Sequence, residues 1–333
     1  MVTITQGTQE LDAAVAAAQA GDQAAFSGLV ERYRPELQVH CYRMLGSFDE
    51  SEDLTQETFL RAWRKRAGFR GHSTFRAWLY RIATNACLDA LSKRPRRAAS
   101  DSEVPWLQPY PDSLLEQIPA TEAEPDAAVV SKETIELAFL AAIQHLSAKQ
   151  RAVFILRDVL GWSAKDTAST LETSVPSVNS ALQRARATLK RRLPVRRSDW
   201  APESAPTPAE SALTERYIDA LERLDMDAFR EMMAEDARFS MPPEPGVWTG
   251  RDAIVDAWVE GGLGNEEYSD FRGVAIRVNM QPAIANYLRR PGESEYRALA
   301  VDVLRVEDGQ IAEILAFHDD VFPALGLPPK LPG

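Results

Sequence analysis

The sequence predicts a multi-domain protein in which two all-α domains are followed by an α+β, cone-shaped domain. In two stretches, apolar residues recur every three to four positions, which is typical of amphipathic helices. A proline-rich segment follows each stretch, and proline interrupts helices and strands alike. Beyond the second such segment, helical patterns give way to strand-like runs joined by short turns. The predicted boundaries are 8–97 and 131–193 for the helical domains, 98–130 and 194–208 for the linkers, and 209–333 for the α+β domain.

Composition limits the classes of protein to which this chain can belong. Its 333 residues suffice for two or three domains, and contents of 45% hydrophobic and 26% charged residues are those of a soluble globular protein. No signal peptide opens the chain and no run of about 18 apolar residues could span a bilayer, so we expect a cytoplasmic protein that contacts no membrane. Cys41 and Cys87 lie in apolar helical patterns and are expected to be buried free thiols. We expect neither a metal nor another cofactor.

The first helical domain begins with an alanine-rich helix that ends at Gly21, after which Asp22 suits the N-cap of a second helix. Pro35 suits the first turn of a third helix, and Asp49 or Ser51 the N-cap of a fourth. The last two helices of this domain carry apolar stripes, formed by Leu54, Thr58, Phe59, Ala62 and Trp63 in one and by Phe75, Trp78, Leu79, Ile82, Ala86 and Leu91 in the other, which begins at Ser73 or Thr74.

Charge is divided unevenly over these last two helices. The segment 49–57 is acidic, whereas between 61 and 97 eleven lysines or arginines accompany a single acid, Asp89. The net charge of −11 would by itself argue against nucleic-acid binding, but binding depends on charge within about 8–10 Å of the surface. Aromatic residues among positive charges are suited to hold phosphates and to stack on unpaired bases. Alternatively, the aromatics are core residues and the basic run is a solvated face.

The second helical domain has the pattern of a helix-turn-helix. Ser147 suits the cap of a helix that ends at Gly161, and Ser163 the cap of a short helix. A turn at 172–174 follows, and Pro176 lies in the first turn of a long basic helix. Between 183 and 197 there are seven basic residues and no acid, which favours contact with DNA phosphates over a solvated helix without a partner.

The third domain opens with two amphipathic helices, at 210–224 and 226–233, and a third at 250–260. Between them lies a strand-like run at 237–241, and four more runs follow as an antiparallel meander: 272–280, 283–289, 296–307 and 310–318, the last two joined by a turn at Asp308 and Gly309. A curved sheet packed against helices encloses a pocket in many folds, and the candidate pocket residues are Tyr217, Trp248, Asn279, Tyr287, His318 and Asp319. His318 beside Asp319 could act as a general base, although a histidine at a strand end is more often structural.

These motifs resemble a known family. "EDLTQETFLRAW" followed by "FRGHSTFRAWLYRIATNACLDAL" resembles region 2 of the extracytoplasmic-function (ECF) sigma factors of bacterial RNA polymerase, and the helix-turn-helix at 145–193 resembles their region 4. "MPPEPGVWTGRDAIVDAW", "NMQPAIANYLR" and "AFHDDVFPALGLP" resemble the SnoaL-like domain, of nuclear-transport-factor-2 (NTF2) type, that is fused to some actinobacterial factors of the sigma-G type. Together the three resemblances cover nearly the whole chain.

The resemblance implies partners and residues. The partners are core RNA polymerase, through its largest and second-largest subunits, and promoter DNA, whose −10 and −35 elements lie roughly 17 base pairs or about 58 Å apart. The residues implied for core polymerase are Asp53, Gln56, Glu57 and Phe59. Those implied for the −10 element, with a flipped base held in a pocket, are Arg61, Arg64, Arg70, His72, Ser73, Thr74, Phe75, Arg76, Trp78, Arg81 and Asn85. Those implied for the −35 element are Ser174, Ser177, Val178, Asn179, Ser180, Arg184, Arg186, Lys190 and Arg191.

The linker and the third domain leave alternatives open. The segment 100–130 has seven acids and no lysine or arginine, so it could imitate RNA phosphate in a polymerase channel or serve as a plain spacer. We expect a sigma factor that is not an enzyme, in which the third domain regulates activity by docking or by binding a small-molecule ligand. The alternatives are an ordinary helix-turn-helix regulator, and a SnoaL-type enzyme or small-molecule sensor with an attached DNA-binding arm.

Overall fold

The computed structural model describes residues 2–71, 73–93, 107–115, 137–192, 207–242, 244 and 246–333. It divides into two compact units, one formed by 1–98 with 113–197 and the other by 99–112 with 198–333. The helices of the first unit are α1 (Val2–Ala20), α2 (Gln23–Leu45), α3 (Phe48–Lys65), α4 (Phe75–Lys93), α6 (Leu137–Gln144), α7 (Ala148–Phe154), α8 (Ala164–Thr170) and α9 (Val175–Arg192). The short helix α5 (Asp112–Leu115) lies where the chain passes between the units.

Local capping explains where most helices of the first unit begin. Asp22 caps α2 by accepting hydrogen bonds from the amides of Ala24 and Ala25 at 2.8 and 3.1 Å, as predicted. Ser147 and Ser163 cap α7 and α8, also as predicted. The cap of α3, however, is Ser47 and not Asp49 or Ser51, since Gly46 ends α2 in the left-handed conformation and leaves Ser47 extended.

The prediction that Pro35 starts a separate helix is wrong. Pro35 lies inside α2, which runs on to Leu45 without a break. Proline removes one helical hydrogen bond, but every residue from Leu37 to Leu45 is buried. Packing of this second half of α2 against α3 and α4 outweighs the local preference of proline.

The two helical domains pack against each other within the first unit. Arg151 of α7 is buried and donates to the carbonyl oxygen of Met44 at the end of α2. Gln144 Nε2 donates to the carbonyl oxygen of Arg43 at 3.4 Å. The rings of Tyr80 and Trp162 meet edge to face with centroids 5.7 Å apart. The helix-turn-helix is therefore seated on α2 and α4.

The second unit is the predicted α+β domain. Its helices are α10 (Pro208–Arg223), α11 (Met226–Met232) and α12 (Arg251–Glu260), and its strands are β1 (Met233–Ser240), β2 (Trp248–Thr249), β3 (Phe271–Val278), β4 (Gln281–Leu288), β5 (Glu295–Glu307), β6 (Gln310–His318) and β7 (Lys330–Pro332). The strand order is β2-β1-β6-β5-β4-β3, and β7 pairs with β5. Strands β3 to β6 form the predicted antiparallel meander, while β1 pairs parallel with β6. The fold class is confirmed.

The three helices of the second unit cover one face of the sheet, here called the inner face. Its apolar core includes Ile284, Leu304 and Ile314. Helix α10 approaches β3 closely at Gly273, where a Cβ atom would lie 2.9 Å from Ile218 Cγ1. A larger residue at this position would push α10 away from the sheet.

Part of the first linker belongs to the second unit. The segment 107–112 lies against the turn between β3 and β4, where Asn279 and Met280 both have positive φ. The amide of Tyr110 donates to Asn279 Oδ1 at 2.7 Å, and the amide of Asn279 donates to the carbonyl oxygen of Tyr110 at 3.0 Å. Asp112 accepts from the amide of Met280 at 2.7 Å and pairs with Arg277 at 3.3 Å. We call this contact the linker clasp.

Candidate polymerase and promoter interface

The first turn of helix α3 carries acids, whose negative charges interact favourably with the positive end of the helix dipole. Asp53 and Gln56 are exposed. Glu57 is half-buried and accepts from Arg61 Nε at 2.8 Å, a hydrogen bond that holds the pKa of the Glu57 carboxyl below its usual value. Phe59 is only 6% exposed and packs inward, so it is removed from the polymerase-binding set.

Leu60 is a residue that the sequence reasoning missed. It lies beside Phe59 but is 51% exposed, on the outer side of the acidic helix. Its position off the apolar stripe of α3 was the available signal. A single exposed leucine is common on protein surfaces, and we group Leu60 with the exposed acids because it lies on the same helix.

The residues implied for the −10 element are accessible, ion-paired or buried. The accessible ones are Arg64, Arg70, Ser73, Thr74 and Arg81, which are exposed, and Trp78 and Asn85, which are half-buried. Arg61 forms ion pairs with Glu57 at 2.8 Å and with Asp89 at 3.4 Å. His72 lies outside the described residues.

Phe75 and Arg76 are the two buried residues of the set implied for the −10 element. Arg76 Nη2 and Nε donate to Glu36 Oε2 at 2.7 and 2.8 Å, and Tyr80 donates to the same oxygen at 3.1 Å. An arginine so neutralised inside the domain cannot also hold a phosphate, so Arg76 is removed from the DNA-binding set. Phe75 packs among Tyr33, Phe69 and Trp78, with ring centroids 5.5–5.9 Å apart. Because its ring is buried in this cluster, Phe75 is also removed from the DNA-binding set. Trp78 is the half-exposed edge of this aromatic cluster.

The helix-turn-helix places polar and basic side chains on one side of α9. Ser174 Oγ accepts from the amide of Ser177 at 3.3 Å and so caps the helix. The exposed side chains are those of Ser174, Asn179, Ser180, Arg184, Arg186, Lys190 and Arg191, and Ser177 is half-buried. Arg186 forms a two-pronged pair with Asp158 at 2.7 and 2.8 Å. Val178 is fully buried with Ala181 and Ala185, so it supports the helix and is removed from the DNA-reading set.

The candidate pocket residues of the second unit do not share one site. Tyr217 lies on the inner face, but Tyr287 lies on the opposite face and donates to the carbonyl oxygen of Pro328 at 3.0 Å. Asn279 belongs to the linker clasp. Trp248 is 37% exposed, its ring centroid 5.5 Å from that of Phe239. His318 is half-exposed and lies 3.2 Å from Glu244, while Asp319 is exposed.

Two inner-face residues were missed by the sequence reasoning. Asp302 and Asn286 are buried, and Tyr217 and Asn286 both donate to Asp302 Oδ2, at 2.9 and 2.5 Å. The available signal was an acid inside the apolar run of β5, in which residues 300–304 are all buried. Within the described ranges, no group of three or more histidine, cysteine or acidic residues is arranged to hold a metal, and no helix is long and apolar enough to cross a bilayer.

Comparison with known proteins agrees with these three domains. The family descriptions that match are Sigma-70 region 2 at residues 29–97, Sigma-70 region 4 at 136–189 and the SnoaL-like domain at 214–314. The ECF RNA polymerase sigma factor SigG of Mycobacterium tuberculosis is 41% identical over 324 residues, which cover 92% of this chain and 85% of the relative. The chain belongs to the ECF family of RNA polymerase sigma factors.

Further relatives agree with this assignment. The ECF sigma factor SigW of Bacillus subtilis is 34% identical over 173 residues, which cover 52% of this sigma factor and 91% of the relative. The crystal structure of Mycobacterium tuberculosis SigJ has the same fold, with a TM-score of 0.61, 22% identity and coverage of 91% of this chain and 100% of that one. Family membership replaces the alternative of an ordinary helix-turn-helix regulator.

Proposed function

We infer that this sigma factor binds core RNA polymerase and directs initiation at promoters whose −35 and −10 elements it recognises. The observation that carries this function is the separation of charge in the first unit. Exposed acids and Leu60 lie on α3, whereas exposed arginines lie around the start of α4 and along α9. Acids are suited to a basic protein partner, and arginines are suited to phosphates.

The roles of the individual residues follow from their exposure. Asp53, Gln56, Glu57 and Leu60 form the proposed polymerase-binding surface. For the −10 element we retain Arg64, Arg70, Ser73, Thr74, Trp78, Arg81 and Asn85, with Trp78 offering a ring on which an unpaired base can stack. For the −35 element, Ser174, Ser177, Asn179 and Ser180 lie at the start of α9, where a recognition helix meets base edges, and Arg184, Lys190 and Arg191 follow where phosphates run.

Runoff transcription with purified core polymerase tests this function. Promoter-specific product without another sigma factor is expected from the wild-type chain. The variant Asp53→Lys with Leu60→Ser should bind core polymerase at least ~10-fold more weakly, since it reverses one charge and removes apolar contact. Asp227→Lys, on exposed α11, is the matched control and should bind normally. Unchanged affinity of the double variant would remove α3 from the interface.

We extend the proposal to the SnoaL-like domain, which we assign a regulatory and not a catalytic role. The linker clasp supports this assignment, because its segment 107–112 lies in the chain between the two DNA-binding domains. A clasped linker is unable to enter a channel of the polymerase, and a released one is free to do so. Transcription by a chain truncated after residue 197, compared with the full chain, tests the assignment. Equal output from both would contradict it. We place the protein in the cytoplasm, where RNA polymerase acts.

A further inference from the structure

Asp302 lies in an unusual place, within the apolar core of the second unit. It faces inward from β5, with Ile284 of β4 and Ala316 of β6 as its register partners. The neighbouring core residues on this face include Ile284, Leu304 and Ile314. Burying a carboxylate among such residues is costly unless it is paired, so its retention calls for a functional explanation.

The hydrogen bonds of Asp302 leave acceptors unused. Tyr217 and Asn286 both donate to Oδ2, and within the described ranges no residue donates to Oδ1. Asn286 Oδ1 is a fully buried atom without a donor among the described residues. A buried acceptor left without a donor destabilises the folded chain. Because Asn286 Nδ2 donates to Asp302 Oδ2, both unused oxygens belong to one hydrogen-bonded pair of side chains, and a donor from outside the protein would complete that pair.

The charge of Asp302 is also uncompensated by its partners. Tyr217 on α10 and Asn286 on β4 are neutral, and the next inward residue on β6 is the titratable His318, which lies close to Glu244 instead. Burial raises the pKa of Asp302 to about 6. The group is therefore mostly ionised at neutral pH, when a hydrogen-bond donor is most favourable to it.

The inner face is lined by apolar residues on one side and ends at a half-exposed residue on the other. Half-buried hydrophobic residues pack against its core, among them Met241, Leu263, Tyr268 and Leu299. In the other direction the face ends at His318, which is the register partner of Ala300 and has a 42% exposed side chain. The unused oxygens thus lie between an apolar interior and a half-exposed, polar end of the sheet.

We propose that Asp302 and Asn286, positioned by Tyr217, form a binding site for a small, largely apolar molecule that carries one hydrogen-bond donor, either a hydroxyl or an amine. A hydroxyl donates its one hydrogen to Asp302 Oδ1, and an amine has further hydrogens for Asn286 Oδ1. The apolar part of the ligand packs against half-buried residues of the inner face. This inference concerns the SnoaL-like domain alone and does not depend on promoter recognition.

Matched probes on the full chain test the site. Three scaffolds of similar size (phenylethyl, cyclohexylethyl and n-hexyl) are each used as an amine, an alcohol and the parent hydrocarbon, and binding is measured by saturation-transfer NMR. We expect the amine or the alcohol to bind at least ~10-fold more tightly than the hydrocarbon in one or more series, as one charge-assisted hydrogen bond provides. Preference for the amine identifies a cationic ligand, and equal binding of amine and alcohol identifies a hydroxyl ligand.

Variants separate this site from surface binding. Asp302→Asn keeps the shape but removes the charge, and should abolish the preference for donors. Tyr217→Phe removes a hydrogen bond that positions Asp302 and should reduce the preference for donors without abolishing it. Asp227→Asn, on exposed α11, is the control and should behave as wild type. The proposal is overturned if no scaffold shows a donor preference, or if Asp302→Asn, with its fold verified by its amide spectrum, keeps that preference.

Discussion

Arg81 Nη2 lies 2.9 Å from Glu172 Oε1, which joins the proposed −10 surface directly to the helix-turn-helix. Glu172 precedes Ser174, at the start of the recognition helix, by two residues. The two promoter elements are about 58 Å apart, so Arg81 and Ser174 cannot both make the DNA contacts proposed for them while this pair exists. The packed arrangement of the two helical domains is therefore a closed state, and promoter binding requires them to separate.

Reversing the charge of Glu172 should favour the open state. The side chains of Arg81 and Glu172 are 45% and 72% exposed, so the pair contributes at most about 1 kcal/mol, and Glu172→Lys should raise the open fraction only a few-fold. Fluorescence energy transfer between dyes placed at residues 65 and 190 measures that fraction. The double variant Arg81→Glu with Glu172→Lys restores the attraction and should return to the wild-type value. If it behaved like the single variant, the pair would not contribute to closure.

Arg151 should contribute mainly to the stability of the second helical domain because, of its four carbonyl acceptors, only that of Met44 lies on α2. It is buried and donates to the carbonyl oxygens of Ile143, Gln144 and Leu146 at 3.0, 2.8 and 3.2 Å, besides that of Met44. Arg151→Met would remove this donor from the carbonyl oxygens of Gln144, Leu146 and Met44, at a cost of about 1–3 kcal/mol each, whereas that of Ile143 keeps the amide of Leu146 at 3.1 Å. We expect a loss of roughly 3 kcal/mol or more, seen as faster hydrogen exchange in α7 and a lower Tm.

The matched control for Arg151 is Arg184→Met, at an exposed position of α9. A surface substitution of this kind should change stability by no more than about 0.5 kcal/mol. Equal losses in the two variants would mean that the carbonyl contacts of Arg151 do not stabilise the junction between α6 and α7.

Removing the side chain of Asn279 should release the linker clasp. Asn279→Gly is the appropriate variant, because glycine tolerates the positive φ of this turn while the side-chain acceptor for the Tyr110 amide is lost. Losing that hydrogen bond should increase cleavage at 107–115 by roughly 5-fold to 100-fold in limited proteolysis. Asp308→Gly, at a positive-φ position in the turn between β5 and β6, controls for the effect of glycine itself. Cleavage at the wild-type rate would show that Asn279 does not hold the segment.

Features governed by neighbours in the chain were predictable from the sequence. The caps at Asp22, Ser147 and Ser163 and the antiparallel meander follow from local hydrogen bonding and from the period of apolar residues. Pro35 shows the limit of that approach, since its place inside α2 depends on the burial of residues that follow it.

The placement of other side chains depends on partners that are distant in the sequence. Arg76 is removed from the DNA surface by Glu36, 40 positions away, and Asn279 is assigned to the clasp by Tyr110, 169 positions away. Both side chains are polar residues in suitable elements, so the pattern alone could not distinguish exposure from internal pairing. Asp302 was overlooked because the pocket residues were chosen by type and not by which face of a strand they occupy.

The pKa of Asp302 predicts a specific pH dependence of stability. Burial raises this pKa from 3.8 to about 6, so the folded chain binds the proton more tightly than the unfolded chain. The stabilisation contributed by the protonated carboxyl is fully present below about pH 4 and is lost as the pH rises through about 6. A shift of about two pKa units corresponds to roughly 3 kcal/mol.

Asp302→Asn imitates the protonated carboxyl at every pH. The variant should therefore not lose stability as the pH rises through about 6. In the full chain, hydrogen exchange of β5 amides, corrected for intrinsic rates, should show the variant more stable than wild type at pH 7.5 by up to about 3 kcal/mol and nearly equal to it at pH 4. Carboxyl carbon NMR should show a titration with its midpoint near 6 in the wild type alone. A midpoint near 4 would mean that water reaches Asp302 freely, because solvation of the charged form would then cancel the effect of burial.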